Sequence, residues 1–144
     1  MNVTKDYYRP LVQVGAARPD DALLIAGGWS WFTHAEHITR DGSQGFVHVS
    51  GCVAPSAELT TGVVEQCEEA LAVIKNALEK AGATFADVVR VAYIVPDPAD
   101  FKPCWPLLEK TFGANPPAAT MISAALIDPK YKIEIEVTAL APAG

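Results

Sequence analysis

Cysteine, positive charge and long apolar runs are all scarce in this chain. The three cysteines, Cys52, Cys67 and Cys104, are widely spaced and form no CxxC pair. An odd number without metal-ligand spacing fits reduced thiols in a cytoplasm better than a disulfide framework. Eleven Lys and Arg stand against seventeen Asp and Glu, a formal net charge of −6. They form no basic run, so binding to phosphate backbones lacks its usual driving force. The longest apolar runs are too short to span a bilayer. The first ten residues lack the charged and apolar blocks of a signal peptide. Low-complexity segments, internal repeats and interdomain linkers are missing too.

What is present is one packed domain. The 144 residues are 50% hydrophobic and 19% charged, which suits a core and not a disordered chain. Leu11–Val14 and Ala22–Ala26 read as short strands, the second followed by Gly27-Gly28 and the aromatic stretch Trp29-Ser30-Trp31-Phe32. Asp41-Gly42 suits a tight turn, and Phe46–Ser50 has strand composition. A helix follows, capped by Thr60 or Thr61. Its stripe is Val63, Val64, Cys67, Ala70, Leu71, Ile74, Ala77, Leu78 and Ala81. Gly82 suits its C-terminal cap. Val88–Val95 is β-branched and nearly continuous, the pattern of a central strand. Asp100–Phe112 predicts a second helix that Pro106 should bend or shorten.

The tail from Asn115 to Leu140 reads as two strands joined by a short turn. In the last strand Ile133, Ile135, Val137 and Ala139 share one face, and Glu134, Glu136, Thr138 and Leu140 share the other. The first face suits packing under helices. The second is either wet or part of an interface or cleft. The pattern predicts an α+β domain, an α/β sandwich with helices on one sheet face.

Several stretches, in order, resemble the RidA/YjgF family. Phe46-Val-His-Val-Ser-Gly51 resembles the family strand ending in Ser-Gly-Gln. Glu65-Gln66, Leu78–Gly82 and Asp87-Val88-Val89 resemble the pattern that runs from Gln through Ala-Gly to Asp-Val-Val. Tyr93-Ile-Val with Asp97 and Asp100-Phe101 resembles the next strand and turn, and Pro117-Ala118 with Ile133-Glu-Ile-Glu136 the tail signature. The resemblance covers roughly residues 37–141, leaving residues 1–35 as an N-terminal extension of a single domain, 1–144. It implies a chorismate-mutase-like sheet covered by two helices. It also implies a homotrimer with ligand clefts between subunits. No cofactor and no metal are expected. Archetypal members hydrolyse imines such as 2-aminoacrylate to keto acids and ammonia.

That chemistry needs a guanidinium fork for the substrate carboxylate and a carboxylate to orient water and move protons. By resemblance the proton-moving carboxylate falls on Glu134. The arginine's position, directly after Pro117-Ala118, holds Ala119, and the segment 119–134 aligns without a gap. The family glutamine after Ser-Gly falls on Cys52, with Gly51 kept. A family asparagine falls on Trp105, and an N-terminal tyrosine near His37.

Each of these positions also has a plainer reading. Glu134 is otherwise an interface or solvent-facing strand residue, Cys52 a buried apolar thiol, Trp105 a packing residue. His34 and His37 form a His-x-x-His pair without a third ligand, so surface or cleft histidines are favoured over a metal site. Arg9, Arg18 and Arg40 precede the family-like core; surface positions are favoured over a replacement for the missing fork. Expected is a small metabolite bound between subunits by Gly51, Cys52, Trp105, Ala119 and His37, with Glu134 catalytic. The activity is a hydrolase or deaminase other than the archetype; the alternative is a non-catalytic metabolite-binding or chaperone-like trimer. Neither nucleic acid nor membrane is an expected partner.

Overall fold

Ile133, Ile135, Val137 and Ala139 are all buried in the computed structural model of the chain, as the alternation of the last strand predicts. The structure describes residues 45–140, together with the backbone of strand segments at 23–24 and 35–38. Its strands are β1 (Leu23–Leu24), β2 (Ala35–Ile38), β3 (Phe46–Cys52), β4 (Val88–Val95), β5 (Ala118–Ser123) and β6 (Glu134–Leu140). They form one sheet in the order β1-β2-β3-β6-β4-β5. All neighbours are antiparallel except β4 and β5, which run parallel. Two helices, α1 (Val63–Lys80) and α2 (Phe101–Phe112), bury their apolar sides in the same core as the inward side chains of β3, β4 and β6. The expected α+β sandwich is therefore present.

The tail does not form a hairpin. β5 pairs with β4, while β6 inserts between β3 and β4, so β4 separates the two tail strands. With β4 lying between them, β5 and β6 cannot be joined by a tight turn. The chain instead spends the turn-rich segment 124–133 returning to the middle of the sheet.

Helix α1, about 27 Å long, keeps most of its predicted stripe but not all. Val64 is exposed, and Gln66 is buried completely in its place. Neither Thr60 nor Thr61 is the cap. Gly62 holds that position, its N–H donating 3.3 Å to the Glu65 carboxylate. Thr61 Oγ1 is engaged elsewhere, accepting from Glu58 N at 2.9 Å. At the other end Gly82 adopts φ 75°, Gly82 N donates to Glu79 O at 3.0 Å, and Ala83 N donates to Leu78 O at 2.8 Å. This is the left-handed closure the sequence predicts.

Helix α2 runs unbroken past Pro106 to Phe112. Pro106 and Lys102, whose carbonyl loses its helical donor, are both on the exposed side, where water can satisfy that oxygen. Asp97, not Asp100, makes the side-chain cap at this end. It accepts from Ala99 N at 2.9 Å and starts a short 3-10 turn, Pro98–Asp100, that leads into α2.

The predicted strand at 11–14 and the turn at 41–42 lie outside the described residues, as do the aromatic stretch at 29–32, His34, Arg9, Arg18 and Arg40.

Candidate functional site

Strand β3 is interrupted where it meets β6. Its register with β6 shifts between Val49 and Cys52, so Ser50 and Gly51 sit in a bulge. Such bulges re-aim side chains locally. Here the bulge returns Cys52 to the core face, opposite Ile135, with its thiol buried and donating to Ser50 O at 3.1 Å. Cys52 is thus withdrawn from solvent in the chain. Burial, then the neighbouring Glu134 charge, pushes its thiol pKa up to about 12. A thiol held protonated in this way is a poor nucleophile.

Glu134 opens β6 and pairs with Ile94 of β4, on the face away from the helices. Its carboxyl group reaches the bulge and occupies the space beside Gly51. A Cβ placed on Gly51 would fall onto Glu134 Oε1, 2.9 Å from Cδ and 3.1 Å from Cγ. Glu134 is half-buried, whereas Glu136, two residues along the same face, is exposed. Desolvation, then the charge of Glu136, raises the Glu134 carboxyl pKa above its ordinary value. A carboxyl group tuned upward is a stronger proton acceptor than an ordinary carboxylate.

The segment that delivers Glu134 is anchored by Gln66. Gln66 Nε2 donates to Lys130 O at 2.9 Å and to Thr61 O at 3.2 Å, and its Oε1 accepts from Lys132 N at 2.9 Å. Lys132 Nζ also donates to Thr61 O at 2.7 Å. The start of α1 and the residues just before Glu134 are therefore tied together through one buried amide. The sequence pattern contained Gln66, but its partners lie 64 and 66 residues away, beyond any periodicity argument.

The other expected site residues do not gather here. Ala119 lies on β5, exposed, paired with Val91, which in turn pairs with the core-facing Val137. Ala119 and Glu134 thus belong to opposite faces of the sheet. Trp105 is 60% exposed on α2, in the helical layer, also on the opposite side from Glu134. His37, in β2, pairs through its backbone with Val47 of β3. On one chain, Gly51 and Glu134 meet, Cys52 lies beneath them, and Trp105 and Ala119 stand apart.

Sequence reasoning passed over a polar row on Glu134's face. His48, Thr138 and Arg90 are cross-strand neighbours on β3, β6 and β4, with His48 Nδ1 3.1 Å from Thr138 Oγ1. Arg90 was hidden inside an apolar-looking strand. It sits four residues along the sheet from Glu134's row, roughly 13 Å. Among the described residues, no group of three or more His, Cys, Asp or Glu side chains could hold a metal ion. No described helix is long and apolar enough to cross a membrane.

Comparison with known proteins gives this geometry its context. The family model described as Endoribonuclease L-PSP matches residues 33–141. Human 2-iminobutanoate/2-iminopropanoate deaminase is 29% identical over 98 residues, covering 65% of this chain and 72% of the human protein. The crystal structure of a YjgF-family protein from Mycobacterium tuberculosis superposes with a TM-score of 0.70 at 29% identity. That match covers 84% of this chain and 99% of the other. A putative endoribonuclease from Thermotoga maritima gives a TM-score of 0.62 at 26% identity, covering 72% of this chain and 83% of the other. The match over residues 33–141 and the shared arrangement of strands and helices lead to one conclusion: the chain belongs to the Endoribonuclease L-PSP family, the RidA/YjgF proteins.

Proposed function

We propose that this chain assembles as a homotrimer whose intersubunit clefts bind a small metabolite, and that Glu134 there drives hydrolysis of a carbon–nitrogen bond. The substrate is not an archetypal 2-imino acid anchored through its carboxylate. What supports the reading is one combination: a retained, half-buried carboxyl group at Glu134 and an uncharged Ala119 at the position of the family arginine. Removing one partner of a desolvated charged hydrogen bond costs on the order of 2–5 kcal/mol, a loss of roughly thirtyfold or more in carboxylate recognition.

The chemistry left to the site is water addition to an imine carbon. Glu134 takes a proton from water as its oxygen bonds to the carbon of the protonated imine, then gives that proton to the nitrogen of the resulting carbinolamine. The C–N bond breaks and the amine leaves as the hydroxyl group releases its proton to solvent and becomes the carbonyl oxygen. Self-association is favoured by Ala119 and Glu134 lying on opposite faces, since a cleft using both positions needs a second copy. Apolar side chains left to water point the same way: Ile122 and Met121 on the outer strand β5, and Ile127, 83% exposed. The acidic balance of the chain weighs against RNA as the substrate, and its three free thiols favour a reducing cytoplasm.

The test pairs two imines. Enzymatically generated 2-aminoacrylate should decay at the same rate with and without the protein. An imine of similar size without a carboxylate should hydrolyse faster with it, and Glu134→Gln should abolish the acceleration while light scattering still reports a trimer. Acceleration of 2-aminoacrylate to archetypal rates refutes the importance of Ala119. Saturable binding without product supports the non-catalytic alternative.

A further inference from the structure

We infer that Gly51 is a positioning residue: its missing side chain creates the slot in the β3 bulge that holds the Glu134 carboxyl group. The three heavy atoms nearest to a Cβ built on Gly51 are Oε1, Cδ and Cγ of Glu134. Among the described residues beyond its chain neighbours, no backbone atom and no other side chain is as close. Nor does the backbone require glycine here, because among the described residues only Gly82 has a positive φ. Glycine at 51 is therefore explained by the neighbour it admits, and not by its own conformation.

The slot has chemical consequences. It holds the Glu134 carboxyl against the bulge, near the buried Cys52 thiol and partly out of water. Without it the flexible Glu134 side chain would swing out over the open face, gain water and behave as an ordinary carboxylate. A larger residue at 51 would displace the Glu134 carboxyl group and change its protonation equilibrium. That this carboxyl group transfers a proton in catalysis rests on the reading proposed above. That Gly51 positions it does not.

The experiment therefore reads the carboxyl group directly. In the full-length chain labelled with 13C at glutamate side chains, the Glu134 signal is assigned by its loss in Glu134→Gln and followed through a pH titration. In Gly51→Ala the Glu134 midpoint should fall toward those of the exposed glutamates. A folded Gly51→Ala protein with an unchanged Glu134 midpoint overturns the inference. If Gly51→Ala fails to fold, Gly51→Ala/Glu134→Ala should fold, because the obstructing side chain is gone; failure of the double variant to fold also overturns it. Turnover enters neither readout, so an inactive protein refutes the proposed function and leaves this inference standing.

Discussion

Replacing Gln66 by Leu keeps the volume of a fully buried side chain and removes three hydrogen bonds. Thr61 O keeps Lys132 Nζ as a donor, so two backbone groups lose their partner: Lys130 O and Lys132 N. An unsatisfied buried backbone group costs about 1–3 kcal/mol. Lys130 and Lys132 are only half-buried, which places both at the lower end, about 2–4 kcal/mol together. Burying a leucine in place of an amide returns about 1–2 kcal/mol. The middle of each range, about 3 kcal/mol lost and about 1.5 returned, leaves a net loss of about 1.5 kcal/mol, or a fall in Tm of roughly 3–6 °C for a domain of this size. Urea denaturation with an unchanged m-value measures it. Native-state hydrogen exchange localises it, because the Lys132 amide should lose protection before the amides of the central strands. Gln66→Glu should be no better, since its carboxylate cannot donate to Lys130 O. A Gln66→Leu protein within about 0.5 kcal/mol of the parent, the scatter of neutral surface changes, would refute the reasoning, and with it the claim that this amide anchors the approach to Glu134.

Other outcomes follow from the same structure. Because the folded state raises the Glu134 pKa, it holds that proton more tightly than the unfolded chain does. The group's stabilising contribution is full below the ordinary carboxylate pKa and is lost as pH rises through the folded value. Glu134→Gln should therefore melt higher than the parent at pH 7, with the gain vanishing near pH ~4; a lower Tm at pH 7 would contradict the assigned cause. All three cysteines are buried, and Cys52 titrates only at about 12. Ellman's reagent at pH 8 should thus label none of them until denaturant is added, and rapid labelling of native Cys52 would count against the burial described. Gly82→Ala forces a side chain into the left-handed region at φ 75°, so denaturation should show a loss of about 1 kcal/mol. No loss would mean that the α1 terminus relaxes.

How much of this was legible beforehand depends on the range of the interaction. The α1 stripe, the Gly82 closure and the inward face of β6 are local patterns, repeating every few residues, and they appear as the sequence predicts. Thr60 and Thr61 misled because threonine caps well in general, while here Thr61 Oγ1 is already taken by Glu58 N. Val64 and Gln66 exchanged their expected places because a buried amide is tolerated only where all its partners are supplied, and those partners arrive from residues 130 and 132. Of the candidate site, Glu134 and Gly51 were named from the family resemblance, but nothing in the sequence indicates that they touch. Trp105 and Ala119 were named with them, and the fold sets both on the other side of the sheet.

The sequence by itself therefore determined the layers of this protein, its family and the loss of the arginine at 119, because composition, periodicity and aligned motifs are properties of the chain alone. Only the tertiary structure decided that β6 passes between β3 and β4 and that the bulge at Ser50-Gly51 opens a slot for the Glu134 carboxyl. It alone showed, too, that Glu134 and Ala119 face apart. Each of these depends on bringing together segments separated by tens of residues, where strand pairing and desolvation set the outcome and no local pattern records it.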